Sequence, residues 1–383
     1  MEKLYAGLDI GGSETRVFAL YNGSEVFKNE NNLVLEYAGY NNTEDYLMDS
    51  EEFDDKLDLS IKIENSPKGD FKTEAIKITD KINNGRWILG SLARKISTNA
   101  VKLPLGQKVK HIQYYINVIN GIINCMNEFG LKEVNLTLGL LLPARQYFDN
   151  DKDMINQILS GDITVVNNIT KDTFVIHIKK ENIIIKPETV VAFNECFIRD
   201  GKVTQLGQEL SNKFNLAIDI GENTTDIAGI REGRPDPITF HSFDYAGGLL
   251  LQYLERELYH KLGYSPTRAE LSEVVSTGYI TQGLSREWVG EELSVANKEF
   301  ANKLFNDFTQ YYLLNKDIRI QQIAAFMFLG GGALKIDKVT SIGEYFIELA
   351  KEQSKNSVMY TPSDIRRANI SGLANIIRVL TLK

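Results

Sequence analysis

Two short stretches of the chain carry residue types suited to holding phosphate and a metal ion. The first reads Asp9-Ile10-Gly11-Gly12-Ser13-Glu14-Thr15-Arg16 and the second Asp219-Ile220-Gly221-Glu222-Asn223-Thr224-Thr225-Asp226. In each, an apolar run ends in Asp-Ile-Gly, turns, and resumes at a threonine. A carboxylate at a strand end, followed by a glycine turn, lies beside exposed backbone N–H groups. Such N–H groups hold phosphate oxygens, while the carboxylate holds the water shell of Mg²⁺, which dehydrates reluctantly. A single tight hairpin also uses Gly-Gly for conformational reasons alone. Arg16 suits a surface cation as well as a phosphate partner. Two copies point further. Facing hairpins would clamp a polyphosphate, with Asp9 and Asp219 converging on one metal that relieves their mutual repulsion. The hydroxyls of Thr224 and Thr225 are able to donate to phosphate oxygens, or simply reflect strand propensity.

Two further features add chemistry. Phe326-Met327-Phe328-Leu329-Gly330-Gly331-Gly332 is an apolar strand opening onto three glycines. Without side chains, that backbone would approach a flat ligand closely, or make a sharp strand-to-helix turn. Glu188, after Pro187, is either a carboxylate that orients water or a first-turn acid favoured by a helix dipole.

The elements that position these residues are legible from patterning. Leu4–Ile10 reads as a buried strand, Thr15–Leu20 as its return, and Glu25–Lys28 as a third strand after the Asn22-Gly23 turn. Phe214–Ile220 and Thr225–Ile230 repeat the first two strands around their Asp-Ile-Gly turn, which suggests two homologous halves, and Ile238–Phe243 is a further strand. Between them, Lys108–Phe129 has apolar residues at helical spacing (Ile112, Tyr115, Ile116, Ile119, Ile122, Ile123, Met126), with Gly130 as its C-cap. Val134–Leu142, Phe174–Ile178 and Ile183–Ile185 read as strands, and Pro187-Glu188 as the first turn of a helix. Helical patterns dominate Gly247–Tyr312, Phe326–Leu329 is a buried strand, and Pro362–Leu380 is helix-like. The acidic run at 44–58 reads as a solvated loop or edge. No low-complexity linker separates the halves, so they are expected to share crossing segments.

Composition bounds the function. The chain has 383 residues, 43% hydrophobic and 25% charged, which is ordinary for a globular protein. A net charge of −8 disfavours direct nucleic-acid binding through a broad basic surface. Cys125 and Cys196 lie in separate segments and give neither a disulfide framework nor a thiolate metal site. The histidines at 111, 177, 241 and 260 have no metal-ligand spacing. The longest apolar stretch, Ile323–Leu334, is too short for the ~20 residues of a membrane span. The opening residues show no signal-peptide pattern, so a cytoplasmic location is expected.

The order of these three glycine-containing elements resembles the actin/sugar-kinase/heat-shock-chaperone ATPase superfamily. Within it, the chain is most similar to bacterial actin-like plasmid-segregation proteins of the ParM type. Pro187-Glu188-Thr189-Val190-Val191-Ala192 before the second hairpin fits that subgroup, and Arg86–Ala93 resembles a strand-to-helix step of its first domain. The resemblance implies an α/β actin-like fold, with two ribonuclease-H-like domains flanking a nucleotide cleft. Domain I would cover 1–187, with an insertion-like subdomain at about 30–105, and be completed by the C-terminal helix at about 362–383. Domain II would cover 188–361.

The resemblance also implies roles. Asp9, Gly11, Gly12 and Ser13 would form one phosphate loop, and Asp219, Gly221, Glu222, Asn223 and Thr224 the other. Glu188 would position the attacking water, with Asp219 as its metal-linked catalytic partner. Asp9 and Asp219 would hold Mg²⁺ through water. Gly330, Gly331 and Gly332 would line the adenosine pocket, and Gly247 the ribose. One departure is Glu222-Asn223, where the family carries more glycine; asparagine tolerates left-handed geometry. The implied activity is hydrolysis of ATP or GTP coupled to filament dynamics. The implied partners are further copies of the chain and a DNA-bound adaptor of a plasmid partition system, with no direct nucleic-acid contact and no membrane. The alternative is a non-filamentous small-molecule kinase or phosphatase of the same superfamily.

Overall fold

The computed structural model describes the chain apart from residues 12–13, 33, 37–56, 65–72, 91, 94–106, 144–145, 148–150, 200–201, 222–223, 233, 355–357, 361, 363, 366 and 382–383. Its contacts divide the chain into two compact units. One comprises Met1–Leu142, Gln146–Glu188 and Leu373–Lys383; the other comprises Thr189–Gly372 with the link after Leu142.

The first unit opens with an antiparallel meander of β1 (Glu2–Ile10), β2 (Glu14–Tyr21) and β3 (Ser24–Asn31). Next come β4 (Val34–Glu36), β5 (Asp58–Glu64), α1 (Thr73–Asn84) and β6 (Arg86–Leu89). After them stand α2 (Ile112–Glu128), β7 (Glu133–Leu142), α3 (Asp151–Leu159), β8 (Gly161–Asn167), β9 (Thr173–Ile178) and β10 (Ile183–Pro187). The strand order is β3-β2-β1-β7-β9-β8-β5-β6-β4, with β10 also on β7. One edge of β7 pairs in parallel with β1, and its other edge is shared by β9 at Glu133–Asn135 and β10 at Leu138–Leu142. The carboxyl ends of β1, β7 and β10 therefore finish together, with Leu8 opposite Leu140 and Pro187 opposite Leu142. In parallel sheets that edge is where ligands bind.

Two expectations change here. Pro187 closes β10 rather than opening a helix, which begins at Glu188. Among the described residues β10 pairs with β7 alone, so Pro187 ends an edge strand, where a missing N–H is tolerated. Most of the acidic run lies outside the described residues, yet Asp58 is fully buried, not solvated. Arg86 Nε donates to its two oxygens at 2.8 and 2.9 Å and Asn168 Nδ2 to one of them at 3.0 Å, which offsets the burial.

The second unit continues from α4 (Glu188–Phe197) through β11 (Ile198–Arg199), β12 (Lys202–Val203) and α5 (Gln205–Leu210). The meander then recurs as β13 (Phe214–Ile220), β14 (Thr225–Arg231) and β15 (Arg234–Phe243). Helices α6 (Gly247–Leu262) and α7 (Arg268–Thr277), the hairpin β16 (Tyr279–Gln282) with β17 (Ser285–Trp288), and α8 (Gly290–Asp307) come next. The chain ends with β18 (Ile323–Leu329), α9 (Ile342–Gln353), β19 (Val358–Tyr360) and α10 (Ala368–Thr381). The sheet order β15-β14-β13-β18-β19 repeats the β3-β2-β1-β7-β10 part of the first unit, with β18 and β19 parallel to β13 and to each other, respectively. Alternation along the strands separates two cores. Leu216, Ile218, Ile220, Phe326 and Phe328 pack on one side, while Ala217, Ala325, Met327 and Leu329 meet Ala192 and Phe193 on the other.

Helices dominate 247–312, as the patterning indicates, with one hairpin between α7 and α8 that the patterning does not mark. Tyr279, Ile280 and Thr281 favour strand, Gly283 turns the chain with φ +58°, and Trp288 packs against the sites where Gly278 and Gly290 lack a Cβ. The C-terminal helix begins at Ala368 and joins the first unit only from Leu373, later than the expected boundary near 362. Ala368 belongs to the second unit's core, and Gly372 sits against the Val191 carbonyl. From Leu373 onward the helix lies over Gly7 and Gly139, register partners in β1 and β7. A Cβ at Gly7 would stand 2.8 Å from Ile377 Cδ1, and one at Gly139 would stand 3.0 Å from Leu373 Cδ1. Arg378 fixes the same helix by donating twice to Glu25, both at 2.7 Å. Gly7→Val should lower the unfolding free energy by roughly 1–3 kcal/mol through overpacking, measured by urea denaturation.

Candidate functional site

Asp9 is 3% exposed and directly opposite Arg16 in the β1–β2 ladder. Arg16 donates from Nη1 to Asp9 Oδ2 at 3.3 Å and from Nη2 to Glu14 Oε2 at 3.2 Å, so this cation serves the loop's own carboxylates. The turn is closed by Gly11 N–H donating to the Glu14 carbonyl at 2.9 Å. Asn32, after β3, braces it: its Nδ2 donates to the Gly11 carbonyl at 2.6 Å, and its Oδ1 accepts from the Thr15 hydroxyl. Gly12 and Ser13 lie outside the described residues.

The second loop has the same plan with different parts. Gly221 N–H donates to the Thr224 carbonyl at 3.0 Å. The Gly221 carbonyl accepts from Gly247 N–H at 3.0 Å, and the Thr225 hydroxyl donates to the Tyr245 carbonyl at 2.8 Å. Backbone after β15 therefore does for this loop what the Asn32 side chain does for the first. It also gives Thr225 a structural duty, while the Thr224 hydroxyl donates to Asp226 Oδ2 at 3.2 Å. Where the first unit sets Arg16 opposite Asp9, the second sets Asp226 opposite Asp219. Glu222 and Asn223 lie outside the described residues.

Three glycines follow β18. Gly330 has φ +81°, and a Cβ there would fall 2.3 Å from Asp219 Oδ1 and 2.4 Å from the Ile220 carbonyl oxygen. A Cβ on Gly332 would meet Ile220 Cγ2 at 2.4 Å, whereas one on Gly331 would meet nothing within 4 Å. Gly330 and Gly332 thus let the β18 exit press against the base of the second loop. A polar group that the sequence did not single out stands near this loop. The Tyr245 hydroxyl donates to Asp307 Oδ2 at 2.7 Å, and Lys303 donates to the same oxygen at 2.9 Å. Burial and then the Asp307 carboxylate push the Tyr245 phenol pKa well up, so it remains a donor. A Lys-to-Asp spacing of four on one helix was the only sequence signal for this group.

Glu188 begins α4 directly after β10, at the same sheet edge as Asp9. Its Oε1 accepts from Lys108 Nζ at 2.7 Å, and the same ammonium donates to the Ile10 carbonyl at 2.7 Å. Tyr114 is fully buried, and its hydroxyl has no partner among the described residues. Burial, then the charges of Glu188 and Asp9, drive its pKa far up, so the phenol stays protonated there. Among the described residues, no group of three or more His, Cys, Asp or Glu gathers around one point. Carboxylates at strand ends, Asp9 across from Arg16 and Asp219 across from Asp226, suit a hydrated cation held through its waters rather than a fully protein-ligated ion.

The family model for the archaeal actin homologue MreB-like C-terminal region matches residues 217–340. No curated protein matches the chain. Among solved structures, the archaeal actin homologue Ta0583 superposes with a TM-score of 0.67 at 16% identity, over 98% of this chain and 99% of that one. The actin-like protein Alp7A gives 0.69 at 16% identity, over 99% and 96%. Bacillus thuringiensis ParM with ATP gives 0.62 at 15% identity, over 99% and 100%. The chain has the actin-like fold and is similar to ParM-type proteins along its whole length.

The contrast between neighbouring glycines is testable. Gly330→Ala should cost about 1–3 kcal/mol, from a strained φ and a carbonyl clash. Gly331→Ala should stay within about 0.5 kcal/mol. Denaturant unfolding of the two variants measures the difference.

Proposed function

We propose that this chain is a nucleotide-dependent, polymerising actin-like protein that hydrolyses ATP or GTP in the cytoplasm. In this reading it segregates plasmid DNA through a DNA-bound adaptor. The observation that carries it is the duplicated Asp-Ile-Gly corner, built twice at the carboxyl ends of parallel strands in a chain with the actin-like fold. Bacillus thuringiensis ParM, of the same fold, was solved with ATP, which supports nucleotide as the ligand. A net charge of −8 favours an adaptor over direct DNA contact.

The residues divide the work as follows. Backbone N–H groups of both loops (Gly12 and Ser13; Glu222, Asn223 and Thr224) hold phosphate oxygens, while the N–H groups of Gly11 and Gly221, expected from the sequence to join them, are taken by the Glu14 and Thr224 carbonyls and close the turns. Asp9 and Asp219 accept hydrogen bonds from the water shell of Mg²⁺, and Asp226 adds negative charge beside Asp219. Bound Mg²⁺ neutralises charge on the phosphates. Glu188 accepts a proton or hydrogen bond from the attacking water and sets its line of approach. Gly330, Gly331 and Gly332 leave room for the adenosine, and Gly247 for the ribose.

Glu188→Ala should slow hydrolysis by ~10²-fold while leaving nucleotide affinity nearly intact. Phosphate release measures the first and fluorescent-nucleotide titration the second; an unchanged rate would return Glu188 to a helix-start role. Assembly is tested by sedimentation with triphosphate, diphosphate and no nucleotide. Polymer should form with triphosphate and dissolve as it is hydrolysed, because a ligand shifts an equilibrium only through differential affinity for the two states. Hydrolysis without polymer, stimulated by a small-molecule acceptor, would identify a soluble kinase or phosphatase instead.

A further inference from the structure

Lys108 lies in a short helical turn, Lys108–Lys110, that the sequence pattern merges into the following helix. The turn is firmly anchored. Val109 is fully buried, its carbonyl accepts from the Tyr115 hydroxyl at 2.8 Å, and His111 N–H donates to the Lys108 carbonyl at 3.1 Å. From that base the Lys108 side chain reaches the first loop's root and Glu188 at once. Nζ stands 2.7 Å from the Ile10 carbonyl oxygen and 2.7 Å from Glu188 Oε1. Both side chains are mostly buried, at 15% and 13% exposed. Lys110, two residues on, is exposed.

We infer that Lys108 is a positioning residue for Glu188, fixing its carboxylate against the carbonyl that precedes the first phosphate loop. A carboxylate on the first residue of a helix has several rotamers open to it. One ammonium that donates to both the carboxylate and a strand-end carbonyl ties the side chain to the backbone that carries Gly11. Lys108 thus converts a helix-start acid into a group of fixed direction, and a displacement near 1 Å at such a group costs about 10²-fold in rate. A second consequence concerns binding. Lys108 donates to Ile10 and Glu188 within the protein, so its removal should act on the chemical step and leave ground-state affinity for nucleotide in place.

This inference rests on the proposed hydrolysis, and the experiment separates the two. Lys108→Met should lower kcat about 10–100-fold, with affinity for the fluorescent triphosphate changed less than about threefold. Lys108→Arg should recover part of the rate, and Lys110→Met should match wild type. In a Glu188→Ala background, Lys108→Met should produce no further loss. In the nucleotide-free protein, the melting-temperature shifts of Lys108→Met and Glu188→Gln should combine to less than their sum in the double variant, as for contacting residues. A Lys108→Met enzyme with the wild-type rate, or one whose affinity collapses while kcat holds, overturns the inference alone. A further rate loss on top of Glu188→Ala also overturns it, since Lys108 then acts independently. A wild-type protein without hydrolysis overturns the inference together with the proposed function.

Discussion

Each of the two glycine loops depends on keeping one glycine carbonyl satisfied at the tip of a parallel strand. A hairpin loop that leaves a β-sheet turns its peptide groups in both directions. The N–H groups are available to an anion only if the carbonyls are engaged elsewhere. The Gly11 carbonyl is taken by Asn32, and the Gly221 carbonyl by the backbone of Gly247. In each case the brace comes from the segment after the third strand of the meander, and a threonine hydroxyl donates back to that segment. The two units arrive at the same constraint with a side chain in one and a main chain in the other. Conserving the constraint while exchanging the parts is what a duplicated unit would do.

The strand register sets what else is near. Because β9 and β10 divide one edge of β7 between them, β10 finishes level with β1, and Glu188 emerges beside the end of the strand that carries Asp9. Lys108 closes that group through Ile10 and Glu188. In the other unit, the close approach of Gly330 and Gly332 holds the β18 exit against Asp219 and Ile220. The electrostatics of the two loops differ accordingly. Asp9 has a cation across the ladder in Arg16, whereas Asp219 faces another carboxylate in Asp226.

Much of this was legible in the sequence, for physical reasons. Strands buried on both faces are continuous apolar runs, so β1, β7, β13 and β18 stood out, and the Asp-Ile-Gly repeat marked the ends of β1 and β13. Gly130 terminates α2 with φ +66°, as its position after the last periodic residue indicated. What stayed hidden depends on tertiary partners. Asp58 belongs to an acidic run in sequence, yet the fold buries it against Arg86. Asn32 looks like one more polar residue in a run of asparagines, and Lys108 like the start of a helix, because each acts across a gap in sequence (17 and 80 residues) that periodicity does not record. The hairpin at 279–288 was masked by the strong helices on either side.

In the proposed function, both Asp-Gly corners act on one nucleotide, through its phosphates and a hydrated Mg²⁺. Equilibrium titration with ATP, with and without Mg²⁺, tests it on the wild-type chain and on Asp9→Ala and Asp219→Ala. Binding should be tighter with Mg²⁺, and each variant should lose about 10–100-fold of that gain, the scale for residues acting on a metal through its bound water. Affinities that are the same for all three proteins and indifferent to Mg²⁺ would contradict it.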